Sequence, residues 1–178
     1  MAAVKEAMAE LLSSLTESRR AHSLAVGRRM ESVAELLPVE LRADAVTAAY
    51  LHDVGYGRPD IGFHPIDGAR LLRSLGYSRA VCHLVAFHTA AEVEAEVRGL
   101  DAHIFDEFRV VDVAGLDMAD DFLWWADLGT GPNGEDFTVD ERLTEILRRY
   151  EPGSVVHTAI TRAEPRLRMA VQRASGSM

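Results

Sequence analysis

The stretch "AYLHDVGYGRPDIGFHPIDGA", Ala49 to Ala69, closes an apolar run with the polar pair His52-Asp53 and then sets another histidine, His64, directly before Pro65. The run leading into it begins near Val39. Leu41, Ala45, Ala48, Ala49 and His52 recur at spacings of three and four, which predicts a helix that stops near Gly55 and carries His52 on its buried face. Neighbouring residues on a continuous helix point about 100° apart, so His52 and Asp53 serve one centre only where the last turn loosens.

Working outward, the same period holds almost everywhere. From about Arg19 to Leu37, His22, Ala25, Val26, Arg29, Val33 and Leu36 share a face, and Pro38 ends the helix. Downstream, Pro65 suits the first turn of a helix through Leu71, Leu72 and Leu75, with Gly76 as its stop. A further helix starts near Ser78; Val81, Leu84, Val85 and His88 form its apolar stripe, and His83 falls off it. A less patterned stretch at 101–107 precedes the helical "DMADDFLWWADL", and "GTGPNGEDF" is the clearest loop. Thr138 and Glu141 form a capping box that opens a helix with Leu143, Ile146, Leu147 and Tyr150 on one side. A last helix from about Ser154 is expected to break or kink at Pro165, with "ASGSM" as a frayed tail. No pair of alternating strand runs competes. The expected class is all-α, a compact helical bundle in one domain over residues 1–178, with a core over about 19–150 and a C-terminal helix over about 154–173 packed on it.

Composition narrows the function classes. A chain of 178 residues can bury a core without staples, and its one cysteine, Cys82, sits among Val81, Leu84 and Val85 as a small core residue. No apolar run approaches the roughly 20 residues of a membrane span. Lys5, Glu6 and Glu10 interrupt any signal-peptide core, so a cytoplasmic location without membrane attachment is expected. The formal net charge is -9 and the arginines are dispersed, which argues against a nucleic-acid groove. An acidic chain still binds phosphate locally if it holds metal cations.

His22, His52 and His88 all fall on apolar faces, where an imidazole needs a partner. Any one of them alone reads as a core histidine satisfied by a carbonyl. Three from three helices, with a carboxylate beside them, form the usual makings of a metal site in a bundle.

This arrangement resembles the HD-domain superfamily of metal-dependent phosphohydrolases: a helical histidine in "RRAHSLAVGRRM", the His-Asp pair in "YLHDVGYG", and a distant aspartate in "WWADLGTGPNG". "FHPIDGA" and "VAFHTA" add the two further histidines of members with dinuclear sites. The resemblance spans roughly Arg19 to Glu145 and implies an HD-type bundle with two divalent transition-metal ions, Fe, Mn, Co, Ni or Zn. It further implies that His22, His52 and Asp127 hold one ion, that His64 and His88 hold the other, and that Asp53 bridges both as the central catalytic group. Asp120 competes with Asp127 for the last place. Asp127 is preferred because it stands where an aromatic-rich helix runs into a glycine loop, whereas Asp120-Asp121 reads as a solvated acidic face.

Tyr56 and Arg58 border the expected site, with Arg58 either a phosphate contact or an exposed loop arginine; Arg19 matches a frequent family arginine or a helix-end salt bridge. His83, His103 and His157 are assigned surface or structural roles. The implied activity is hydrolysis of a nucleotide or another small phosphorylated metabolite by a metal-activated hydroxide. The same ligand set also serves mixed-valence diiron oxygenases of the superfamily, and a non-catalytic metal-binding module keeps the fold without the chemistry.

Overall fold

The computed structural model describes residues 2–178, with side chains from residue 7 onward. Its α-helices are α1 (Ala2–Ser13), α2 (Glu17–Val33), α3 (Val39–Leu51), α4 (His64–Ser74), α5 (Arg79–Phe87), α6 (Ala91–Arg98), α7 (Leu116–Leu128), α8 (Val139–Arg149) and α9 (Val155–Ser177). Short 3-10 turns lie at Ala34–Leu36, Val54–Gly57, His88–Ala90 and Ala102–Phe105. There is no strand among the described residues beyond a single bridge between Thr130 and Asp136. The all-α expectation holds.

Side-chain caps fix where four of these helices begin. Thr16, Ser78 and Ser154 accept from the backbone N–H three residues on, and Thr138 and Glu141 form the reciprocal capping box. Gly76, at φ 83°, ends the α4 segment in the left-handed conformation that favours glycine.

α2 packs on α3, α4 on α5, and α3 on α5, while α7 crosses α2, α3 and α5. α9 covers the far side of α6, α7 and α8. The core between them is aliphatic and aromatic: Val26, Met30, Leu51, Ile66, Leu72, Leu84, Phe122, Leu123 and Leu167 are essentially inaccessible. Cys82 lies in this core, and burial pushes its thiol up from the ordinary value. Two tryptophans flank the last turns of α7: Trp124 is buried with the Arg166 guanidinium 5.3 Å from its ring, and half-buried Trp125 has Arg29 at 4.5 Å. No described helix is long and apolar enough to cross a membrane.

Two features expected at the C-terminus, a break at Pro165 and a frayed tail, are not found. α9 runs unbroken through Pro165, because that residue and Thr161, whose carbonyl it leaves without a helix donor, both face solvent. "ASGSM" is helical to Ser177 rather than frayed: Ala170 and Ala174 are buried, and Arg173 grips Asp121 through two hydrogen bonds of 2.6 and 2.7 Å.

Candidate metal centre

Three helices end at one place. His52 caps the C-terminus of α3, His88 caps that of α5, and Asp127 is the penultimate residue of α7. Each helix C-terminus presents carbonyls without helical partners and a partial negative charge, which favours a cation. His22, in the second turn of α2, and His64, the first residue of α4, complete the ring.

The adjacent pair works because α3 stops there. Asp53 leaves helical geometry at φ -94°, ψ 2°, and the 3-10 turn Val54–Gly57 follows. Gly55 within that turn approaches α4 so closely that a Cβ would stand 2.1 Å from the His64 carbonyl oxygen and 2.6 Å from Gly68 N. This contact brings Asp53 and His64 together. Asp67 accepts from the backbone N–H groups of Ile61, Gly62 and Phe63 at 2.9 to 3.0 Å and so sets the loop from which His64 emerges.

Tautomers follow from the carbonyls. His52 and His88 direct Nδ1 at carbonyls three residues back, Ala49 at 2.8 Å and Val85 at 2.6 Å, and His22 directs Nδ1 at the Gly131 carbonyl at 3.0 Å. A carbonyl only accepts, so each Nδ1 carries a proton; Nε2 of His52 and of His88 is left as a lone pair directed inward, whereas Nε2 of His22 faces the Asp127 carboxylate. His22 Nε2 lies 3.0 Å from Asp127 Oδ1, His52 Nε2 lies 3.7 Å from Asp53 Oδ1 and 3.9 Å from Asp127 Oδ1, and His64 Nε2 lies 3.5 Å from Asp53 Oδ1. His64 and His88 face each other Nε2 to Nε2 at 3.2 Å. His52 Nε2 is fully buried without a hydrogen-bond partner.

The donor atoms form two sets, His22, His52, Asp53 and Asp53, His64, His88, each lying within 4.8 Å of one another and sharing Asp53. Asp127 lies outside both sets but is in contact with His22 and His52. Imidazoles and carboxylates without a thiolate fit a divalent metal of borderline character, and the orphaned His52 nitrogen is a lone pair in want of one.

Electrostatics keep His52, Asp53, His64 and Asp127 in the form a metal takes. Burial alone would raise the Asp53 carboxyl, but His52, Arg19 and His64 outweigh it and hold it below the usual carboxylate range. Burial likewise works against ionised Asp127, yet the hydrogen bond from His22 and the nearby His52 bring it well below. Burial lowers His52 and, more strongly, His64, despite the attraction of the carboxylates. Burial would lower His22 too, but its contact with Asp127 leaves it raised.

The rim is a stack. The Arg19 guanidinium lies 3.5 Å from the Tyr56 ring centroid, and Tyr56 lies flat on His64 at 3.9 Å. Arg19 also donates to Asp53 Oδ2, so the expected helix-end salt bridge is present. Arg58 is exposed, and among the described residues its side chain has no hydrogen bond or ion pair.

Asp120 stands elsewhere, and not on a solvated acidic face: its Oδ2 lies 3.3 Å from Nε2 of buried His83, whose Nδ1 accepts from Val110 N at 3.1 Å. Asp121 is held by Arg173. A cavity of about 950 Å³ is lined by His83, Asp120, Trp124, Arg109 and Arg166 among others, and contains none of the six residues above. The donors pack ring to ring, with centroids 5.1 to 5.3 Å apart, which leaves little open space between them. His103 is exposed beside Asp106, and His157 lies at the start of α9.

Sequence reasoning missed three supports. Asp67 had a readable signal, an acid in the first turn after a loop. The Gly131 carbonyl had none. Neither had Thr89, whose hydroxyl donates to Asp127 Oδ2 and which, with Ala90, adopts left-handed geometry at φ 50° and 57°. Such a conformation costs a non-glycine residue about 1–3 kcal/mol and persists only where its surroundings impose it.

A family model described as HD domain matches residues 19–121, more than half of the chain. The match takes in His22, His52, Asp53, His64 and His88 and ends before Asp127. No curated protein and no solved structure matches the chain.

Proposed function

The chain belongs to the HD-domain family, within a superfamily of metal-dependent hydrolases, and from that premise we propose that it hydrolyses a phosphoester or phosphoanhydride of a nucleotide or other small phosphorylated metabolite. HD domains bind divalent metals. In this reading His22, His52 and Asp127 hold one ion, His64 and His88 hold a second, and Asp53 serves both. When bound, such a pair supplies Lewis-acid activation of water and neutralises phosphate charge.

The chain's own residues do the rest. The carbonyls of Gly131, Ala49 and Val85 hold three imidazoles by Nδ1 with Nε2 turned inward, and of these His22 shares its Nε2 with Asp127. Asp53 enters already ionised. Arg19 and Tyr56 roof the edge by which a phosphate arrives, and Arg58, exposed in the loop beyond, is assigned as a further phosphate contact in this reading.

One observation carries the reading: the buried, unpartnered Nε2 of His52 aimed between two carboxylates. The test is metal analysis of protein prepared without chelators or metal-affinity resin, followed by an anaerobic phosphate-release screen on the same sample. Two equivalents of a transition metal with oxygen-independent release are expected. Absence of metal, or turnover only with dioxygen, overturns the proposal.

A further inference from the structure

Thr89 sits between His88, a donor of the second set, and Asp127, which contacts His22 and His52 of the first. On one side it is joined by a single peptide bond to His88; on the other its hydroxyl donates to Asp127 Oδ2, leaving Oδ1 toward His22 and His52. A β-branched residue at φ 50°, ψ 44° is a rare conformer, and here it is followed by a second left-handed residue, Ala90 at φ 57°, ψ 38°. Neither is glycine, so neighbours must impose the geometry. The surroundings supply this constraint: Ala90 and Ala91 are buried, and the turn packs on α7 and α9.

The double left-handed step lets His88 keep Nδ1 on the Val85 carbonyl while the next side chain turns back to α7. His88 therefore cannot shift without moving the anchor of Asp127, and Asp127 cannot rotate without releasing Thr89. We infer that Thr89 is a positioning residue that couples the two ion sites, so that filling one orients the ligand of the other. This rests on the reading of the six residues as two metal sites.

The test is equilibrium titration of chelator-treated protein with Co²⁺ alone, read by visible absorption and by calorimetry. Thr89→Val keeps the branched shape without the hydroxyl, Thr89→Gly accepts the left-handed backbone without it, and Thr89→Ser keeps it. The wild type and Thr89→Ser are expected to bind the second ion at least about fivefold more tightly than the first after statistical correction. Thr89→Val and Thr89→Gly are expected to bind two ions independently, with the step that depends on Asp127 weakened about tenfold. Thr89→Gly removes backbone strain and so keeps the comparison open should Thr89→Val fold poorly. Two ions bound with unchanged coupling in either folded variant overturns the role of Thr89 and leaves the metal sites standing. A wild type that takes up no Co²⁺ overturns both.

Discussion

Arg19 donates a 2.6 Å hydrogen bond to Oδ2 of Asp53, so the carboxylate at the middle of the histidine cluster already has one fixed cation. Metal ions would replace much of what that guanidinium does. Arg19→Ala should therefore destabilise chelated protein by about 1–2 kcal/mol, the low end for a buried pair because Arg19 is one-third exposed, and should cost less with Mn²⁺ bound. Urea denaturation of both proteins with chelator and with Mn²⁺ measures this. An equal loss in both conditions would assign Arg19 to packing on Tyr56 alone.

Asp53→Ala removes the donor common to both sets. The variant should lose both metal equivalents and at least about 10³-fold in turnover, since the two ions act as a unit. Elemental analysis and phosphate release on protein with an unchanged circular dichroism spectrum give the answer; retained metal and activity would sink the mechanism.

Asp127 and Asp120 separate cleanly. Asp127→Ala should lose bound metal, whereas Asp120→Ala should keep it and lose about 1–2 kcal/mol because His83 is left without its acceptor. Metal content and denaturation of the two variants, side by side, decide; metal loss from Asp120→Ala alone would reverse the assignment.

Glu92 on α6 accepts from Arg109 at 2.9 Å and from Arg166 of α9 at 3.0 Å, tying the C-terminal helix to the bundle. Burial would raise its carboxyl, but the two arginines outweigh that and lower it. A carboxyl lowered on folding stabilises the protein above its unfolded value, near 4.3, and loses that contribution as pH falls through the folded value. Glu92→Gln should cost about 1 kcal/mol at pH 7, modest because the arginines are half exposed, and progressively less as pH falls below the unfolded value. Stability curves at several pH values test it; a difference independent of pH would contradict the charge argument.

Much of the site is legible in the sequence because side-chain patterns carry it. His22, His52 and His88 lie inward at helical spacing, and turn chemistry places the ends of α3 and α4. Periodicity fails where a helix has no wet face. α5 is buried from Ala80 to Phe87, so His83, off the apolar stripe, is as enclosed as residues on it. That hid its partnership with Asp120. Backbone devices leave no trace either: nothing in "FHTA" announces two left-handed residues, and a carbonyl such as that of Gly131 belongs to any residue type. Pro165 misled for the opposite reason. Its local rule is sound, but packing of Ala163, Leu167 and Ala170 against the bundle, with the proline facing water, overrides it.

Trp125 lies two residues before Asp127 on α7, with the Arg29 guanidinium over its ring. The helix thus carries its own optical reporter: a paramagnetic ion arriving at Asp127 should quench indole emission. Occupancy can then be followed in real time by stopped flow, on unlabelled protein, before any substrate is known.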